Sequence, residues 1–402
     1  MLNAVISRFN RKYLSAIDKS DNIFYSPYGP ATVLSIAANG ADGETKNELL
    51  HALCCEAVPN DYYGEFQKRL GAHYAKYVFM MSSNLLLIGK KSVADAMQRD
   101  FIKTVFNVFR SEIREVDFTH DLDIERERIR AWVDEKTQHI IPDYQSIVTA
   151  ETVLDFLNVV CFKGEWEYEF EEGVRKDILS PRKLLHIFDN HDGSESKVKF
   201  MSGEFRSGIP YFEDNKYKGI ALPYRKDWEE NQTAAAMFVI MPKDENDRNI
   251  SEKWANESAD YQTQFLQSIK DKFDYNEEIV VDVHLPKFEL NTKHDVKKNL
   301  AKMGVNLAFS DFADFSSVVD YGKIKEGVKV GSISHEAKIK VDEKGTEAAA
   351  VTEMAMCVGC GFCENPNPPS RYVEFHAYRP FLFVIQDLVS GIDLFMGVVN
   401  KL

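Results

Sequence analysis

The chain has 402 residues, 44% of them hydrophobic, which is enough to bury a sizeable core. Acidic side chains outnumber basic ones by 63 to 49, for a formal net charge of −14, and no run of five or more Lys/Arg occurs; both features argue against nucleic acid as a partner. No stretch reaches the roughly 20 apolar residues of a membrane-spanning helix.

The N-terminus, Met1-Leu2-Asn3-Ala4-Val5-Ile6-Ser7-Arg8-Phe9-Asn10-Arg11, is interrupted by charge and amide before an apolar secretion signal can build up. A cytoplasmic location is therefore expected, with release by an unconventional route left open. Leu2, Val5, Ile6, Phe9, Tyr13 and Ile17 fall on one face of a helix. Helices are expected next at about 28–38 and at 46–53, the latter opened by Thr45 with Glu48 in capping-box spacing. Tyr62–Val78, Val93–Phe106 and Ile124–His139 continue the helical series.

From Val153 onward β-formers dominate, with strands expected at Val153–Phe162, Ser196–Met201, Ala234–Met241, Ile279–Leu290, Val328–Asp342, Val373–Ala377, Phe381–Ile385 and Leu394–Val399. Helices return at about Tyr261–Lys270 and His294–Met303. Asp189–Ser196, Lys226–Gln232 and Asp244–Asn256 read as loops. The elements interleave without a repeat or a clear boundary, so one mixed α+β domain spanning 1–402 is favoured. Acceptor sequons at Asn231, Asn249 and Asn256 would matter only if the protein leaves the cell.

The most informative stretch is Lys338-Ile339-Lys340-Val341-Asp342-Glu343-Lys344-Gly345-Thr346-Glu347-Ala348-Ala349-Ala350-Val351-Thr352. A strand-like run gives way to small residues and then to about 30 residues with Gly359, Gly361, Pro366, Pro368 and Pro369 before strand character resumes at Val373; loops that long inside a compact domain are usually functional or disordered. From Thr346, one strand face would carry Thr346, Ala348, Ala350, Thr352, Met354 and Met356, and the other Glu347, Ala349, Val351, Glu353 and Ala355. Both charges fall on one face, as a segment destined for burial in a sheet requires. A small-residue linker with accidental alternation fits these residues equally well.

The run Asp342-Glu343-Lys344-Gly345-Thr346-Glu347-Ala348-Ala349-Ala350 is similar to the hinge of inhibitory serpins, and further matches follow in order along nearly the whole chain. They include Asn22-Ile23-Phe24-Tyr25-Ser26-Pro27, Asn39-Gly40-Ala41-Asp42-Gly43-Glu44-Thr45, Phe156-Leu157-Asn158 and Phe162-Lys163-Gly164-Glu165-Trp166. Leu222-Pro223-Tyr224, Leu285-Pro286-Lys287-Phe288, Ala313-Asp314-Phe315-Ser316, Arg379-Pro380-Phe381-Leu382-Phe383 and Phe395-Met396-Gly397 complete the series.

The resemblance implies an α+β serpin fold: a helix-rich first half, three β-sheets and an exposed reactive-centre loop at about 344–371. It implies a metastable monomer that inhibits a serine protease as a suicide substrate. The enzyme cuts the loop and forms an acyl-enzyme, and the cut loop enters the main sheet as a strand. A cysteine protease is a further target class, and a non-inhibitory chaperone, carrier or binding serpin is the alternative function. No catalytic residue, cofactor or metal is implied, and no Gly-x-Ser-x-Gly, His-Glu-x-x-His or phosphate-binding loop occurs.

By resemblance, Glu343, Gly345, Thr346, Ala348, Ala349 and Ala350 form the hinge. Lys287, paired with Glu343, and Trp166 mark the top of the sheet; Ser26, Asn158 and His335 form a polar cluster where its strands must part. The usual spacing from Gly345 places the scissile bond at Gly359–Cys360, with Val358–Gly359 as the second choice; either suits an elastase-like pocket. Phe362 would suit a chymotrypsin-like enzyme and Arg371 a trypsin-like one, but Arg371 lies too far along.

Three departures stand out. Gly29 occupies a position where the family often has a second serine, Tyr378 replaces an Asp or Asn, and the stretch from the expected cut to Pro380 is longer than usual. Cys357, Cys360 and Cys363 supply three thiols where a structural zinc wants four ligands; exposed thiols, open to oxidation, are the expectation.

Overall fold

The computed structural model describes residues 1–72, 77–173, 186–206, 208–226, 234–273, 279–324, 327–346 and 371–402. Helices Leu2–Ala16, Tyr28–Gly40, Gly43–Ala52, Asn60–Ala72, Lys91–Asp95, Arg99–Asn107 and Leu122–Lys136 fill the first third; Ile250–Asn256, Ala259–Lys270 and Val296–Lys302 follow later. The strands begin with β1 (Ile23–Tyr25), β2 (Val78–Ile88), β3 (Glu112–Glu115), β4 (Leu154–Glu165), β5 (Glu171–Glu172), β6 (Ile187–Asp189) and β7 (Glu195–Lys197). Next come β8 (Phe200–Phe205), β9 (Tyr211–Glu213), β10 (Tyr217–Pro223), β11 (Ala235–Pro242), β12 (Ile279–Pro286) and β13 (Phe288–Asp295). The last are β14 (Val330–Ser332), β15 (Ser334–Val341), β16 (Gly345–Thr346), β17 (Arg371–His376), β18 (Phe381–Asp387) and β19 (Ile392–Val399).

Among the described residues these strands form three larger sheets and one small ribbon. The largest runs β13-β15-β16-β4-β2-β3, with β14 also on β4. A second runs β1-β19-β18-β11-β10-β9, a third β17-β12-β8-β5, and β6 pairs with β7 alone.

Burial explains the layering. The 28–40 helix is buried around nearly its whole circumference, as a helix hydrophobic on all sides must be, and it packs against β4. Strand β2 turns Leu86 and Ile88 into the main core, and Leu85 and Leu87 into a second cluster with Ile129, Trp132 and Val133 of the 122–136 helix. The central strands of the largest sheet are thus covered on both faces.

That double burial accounts for the largest departure from the sequence expectation. Val78-Phe79-Met80-Met81-Ser82-Ser83-Asn84-Leu85-Leu86-Leu87-Ile88 shows no apolar–polar alternation, because both faces are covered, and β2 is absent from the expected elements. Ile279–Leu290 is two strands in two different sheets: Pro286 has no N–H for the ladder, and the chain turns at Lys287, whose N–H donates to Lys199 O (2.8 Å). Asp244–Asn256 ends in a helix, anchored by buried Ile250 and Trp254. The expected capping box does not form. The helix begins at Gly43, Thr45 Oγ1 accepts from Asp314 N (2.9 Å), and Glu48 accepts from the backbone of Asn306 and Leu307 (2.7 and 2.8 Å).

Gly397 shows how tightly the second sheet is fitted. It sits between Phe24 and Phe383 in register, and a Cβ there would lie 2.3 Å from the Phe383 ring and 3.0 Å from Ile23 O. Gly397→Ala is expected to cost about 1–3 kcal/mol by overpacking, read as a lowered urea midpoint with an unchanged slope.

Candidate functional site

The hinge and the top of the largest sheet form one constellation. Gly345 and Thr346 already stand as a two-residue strand between β4 and β15: Gly345 pairs with Glu165, and Thr346 with Gly164 on one side and Val341 on the other. Only glycine fits the first position, since a Cβ on Gly345 would lie 2.0 Å from Gly164 O and 2.9 Å from Glu165 Cα. The Thr346 side chain is 2% exposed.

Thr346 is held by a residue to which the sequence assigned no role. Tyr224 Oη lies 2.6 Å from Thr346 Oγ1. Burial pushes the Tyr224 phenol far above its ordinary range, so it stays protonated, and this hydrogen bond is its polar partner. The Tyr224 ring stacks on Trp166 (centroids 4.7 Å, 16°) and meets Phe162 edge-on (4.7 Å). The only sequence signal for Tyr224 was its place in Leu222-Pro223-Tyr224.

Trp166, Lys287 and Glu343 meet beside Gly345. Trp166 Nε1 donates to Asp342 O (2.9 Å), Trp166 N to Lys344 O (2.8 Å) and Phe170 N to Glu343 O (3.1 Å). Lys287 Nζ lies 2.7 Å from Glu343 Oε1. Burial raises the Glu343 carboxyl, but the Lys287 ammonium, a backbone hydrogen bond and the Lys199 charge together outweigh it and the net shift is downward. The hydrogen bond to Glu343 raises Lys287 against its own desolvation.

Below Thr346 lies a gap. Among the described residues no backbone ladder joins β4 directly to β15; β16 bridges them at one end, and β14, on Leu154 and Asp155, lies at the other. The space between is lined by Val160, Cys161 and Phe162 of β4, Lys338 and Ile339 of β15, and Thr346. The void at this end of the gap is about 10 Å³, room for about one water, so a further strand can pass Thr346 only if β4 and β15 part there.

The expected polar cluster lies beneath the same strands, in two halves. Ser26 N donates to His335 Nε2 (2.9 Å), and Gly29 N to Ser26 Oγ (3.2 Å). Asn158 Nδ2 donates to Asn84 Oδ1 (2.8 Å) and Ser82 Oγ (3.0 Å), tying β4 to β2. Gly29 lies at the junction, where a Cβ would be 2.6 Å from Asn158 Oδ1 and 3.5 Å from the His335 ring. Asn158 Oδ1 is buried without a hydrogen-bond partner, so the departure at Gly29 coincides with an unmade bond between the halves.

Ala348, Ala349, Ala350, Val358, Gly359 and Cys360 lie outside the described residues, as do Cys357, Phe362, Cys363 and Asn231. Arg371 is the first residue of β17 and pairs with Glu213 at 2.6 Å, its guanidinium over the Tyr211 ring; it is engaged in the sheet framework.

The family model described as Serpin (serine protease inhibitor) matches residues 5–402. Among curated proteins, the chain is 27% identical to leukocyte elastase inhibitor of Sus scrofa, covering 100% of this chain and 99% of that one. It is 29% identical to intracellular coagulation inhibitor 2 of Tachypleus tridentatus (96% and 87%) and 27% to Iripin-2 of Ixodes ricinus (98% and 92%). Among solved structures, native protease nexin-1 with heparin superposes with a TM-score of 0.77 at 26% identity, over 100% of this chain and 99% of that one. The thyroxine-binding globulin complex with thyroxine, at 20% identity and a TM-score of 0.75, shares the fold. With a family match over residues 5–402, relatives named as inhibitors and Gly345 and Thr346 paired at one end of its largest sheet, this chain belongs to the serpin family.

Proposed function

We propose that residues 1–402 act as one serpin unit that inhibits a serine protease as a suicide substrate. The observation that carries this reading is the hinge itself, with Gly345 and Thr346 already paired into the sheet ahead of a gap. A protease that attacks the Gly359–Cys360 bond, or Val358–Gly359, forms an ester to the new C-terminus; the freed segment then continues down the gap that Thr346 has entered.

The lengths agree. Strand β4 has 12 residues, about 40 Å at roughly 3.3 Å each, and the segment from Gly345 to the proposed cut, about 15 residues, spans about 50 Å. A protease carried that far along the body is pressed against the opposite end of the sheet. Deacylation depends on alignment within about 1 Å, so such distortion stalls it. The serpin contributes no catalytic residue, cofactor or metal to this cycle. The small residues around the cut favour an elastase-like pocket, in keeping with the leukocyte elastase inhibitor relative. The word "intracellular" in the name of the Tachypleus tridentatus relative supports action inside the cell.

The test is to mix the protein with a panel of serine and cysteine proteases, look for complexes that survive boiling in detergent, and sequence the released C-terminal peptide. At least one stable complex, with a peptide beginning at Cys360 or Gly359, is expected. Cleavage by every enzyme without a stable complex, and without a rise in thermal stability, would favour the non-inhibitory alternative.

Two variants probe the hinge. Thr346→Arg places an unpaired charge where the sheet must close, at a cost of several kcal/mol; cleavage should persist while stable complex falls by about tenfold or more. Glu343→Gln removes the partner of Lys287. Because the Glu343 carboxyl is lowered in the fold, the pair's contribution is complete above the ordinary value of 4.5 and fades as pH falls through the folded value. A gap in apparent unfolding temperature of about 1–2 °C between wild type and variant at pH 7 should close below that range.

A further inference from the structure

Strands β12 and β17 run parallel, with Asp282 opposite Glu374 and His284 opposite His376. Alternation puts all four side chains on one face. Asp282, His284 and His376 are 5%, 1% and 8% exposed. His376 Nε2 lies 2.8 Å from Asp282 Oδ2, and His284 Nε2 lies 3.4 Å from Asp282 Oδ1. Each ring is also held from behind: Tyr378 Oη is 2.6 Å from His284 Nδ1, and Glu374 Oε2 is 3.4 Å from His376 Nδ1. Asp282 Oδ1 and His284 Nε2 are buried without a hydrogen-bond partner although they face each other.

We propose that Asp282, His284 and His376 bind one divalent transition cation of the zinc type. One ligand atom from each residue lies within 4.8 Å of the others. An ion about 2.0–2.2 Å from each ligand in tetrahedral geometry sets neighbouring ligand atoms about 3.3 Å apart; the present N···O spacings, 2.8 Å to Oδ2 and 3.4 Å to Oδ1 of Asp282, are of that size but use both carboxylate oxygens, so the carboxylate binds through both or turns to present one. Two imidazoles and a carboxylate suit zinc-like ions rather than magnesium or calcium. The rings are stacked, with centroids 4.0 Å apart and planes at 15°; to share an ion they splay about their Cβ–Cγ bonds until both Nε2 lone pairs meet. The Tyr378 hydroxyl supplies an outer hydrogen bond of the kind that fixes which ring nitrogen carries the proton in such sites, and the Glu374 carboxylate faces the back of the other ring at 3.4 Å. Glu374, with a side chain 47% exposed, marks the way in from solvent.

The sequence expectation of no metal weighed only the local thiols, and no contiguous motif announces this cluster: only the β12–β17 pairing brings His376 to Asp282. Tyr378, a departure from the family pattern, gains a role as a positioning residue. An ion here would tie β12 to β17, the strand that begins where the segment 347–370 ends.

The test uses the full-length protein, stripped with a chelator and titrated with Zn²⁺ by calorimetry and with Co²⁺ by visible absorption. One equivalent of each should bind, with cobalt ligand-field bands and no thiolate-to-cobalt charge transfer. Tyr378→Phe should weaken binding by about 10- to 100-fold, and Asp282→Asn with His376→Gln should abolish it while far-ultraviolet circular dichroism stays unchanged. Absence of binding by the wild-type protein overturns the proposal. So does binding that survives in the folded double variant, or that disappears when Cys357, Cys360 and Cys363 are replaced by Ser. If the double variant does not fold, an unchanged affinity in Tyr378→Phe overturns it as well.

Discussion

Between Phe156 and Lys163, β4 has no direct backbone ladder with β15 among the described residues, and the proposed mechanism requires that gap to be closed yet openable. Closure comes from packing: Phe162, Ile339 and the side chains beneath them leave a void of only about 10 Å³. Opening is favoured by what an entering strand would bring, a ladder on both of its edges at about 1 kcal/mol net per hydrogen bond together with buried apolar surface. On the proposed mechanism the intact molecule would hold back that favourable term, and the contacts at the mouth of the gap would govern its release.

In that proposed mechanism those contacts divide into a committed part and a gate. Gly345 and Thr346 are committed, since the backbone of Gly164 and Glu165 tolerates no Cβ at Gly345 and Tyr224 closes over Thr346. The gate lies beneath, where Ser26 and His335 belong to one side and Asn158, Asn84 and Ser82 to the other. With Gly29 between them and Asn158 Oδ1 unpartnered, no side-chain hydroxyl from residue 29 bridges the two halves. A buried acceptor without a partner costs about 1–3 kcal/mol, and that cost falls on the closed form. The chain thus combines a tightly seated hinge with a lightly fastened gate.

Legibility from sequence followed burial geometry. The first helix was readable because it is buried on one side only, so Leu2, Val5, Ile6, Phe9 and Tyr13 recur at helical spacing. Strand β2 was not, because covering both faces removes the alternation on which the eye relies. Glu48 shows a second limit: its spacing from Thr45 suits a cap, yet it satisfies the backbone of Asn306 and Leu307, distant in sequence. At the site, Lys287 and Trp166 stand in the ordered family motifs and Glu343 in the hinge-like run, and Gly29 stood out in the sequence as a departure from the family pattern. Tyr224 and the Asp282–His284–His376 cluster were not legible, because each acquires its meaning from a partner about a hundred residues away that only strand pairing supplies.

Thr346 and Arg371, which flank the segment 347–370, are fastened in different sheets, and in the proposed mechanism that separation would give cleavage its effect. Thr346 is fixed in the largest sheet; Arg371 opens β17, where it pairs with Glu213, while His376 at the other end of that strand meets Asp282. With the chain uncut, every residue drawn into the gap must come from the same length that reaches β17, so insertion stops when that length runs out or β17 peels from β12. In that mechanism cutting would remove the second constraint and would let β17 stay on β12. Interactions that hold β17 therefore do not oppose insertion of the cut segment; they oppose only insertion of the uncut one. A cation shared by Asp282, His284 and His376 would act on that difference, strengthening the tether that cleavage makes irrelevant and so widening the contrast between the intact chain and the cut one.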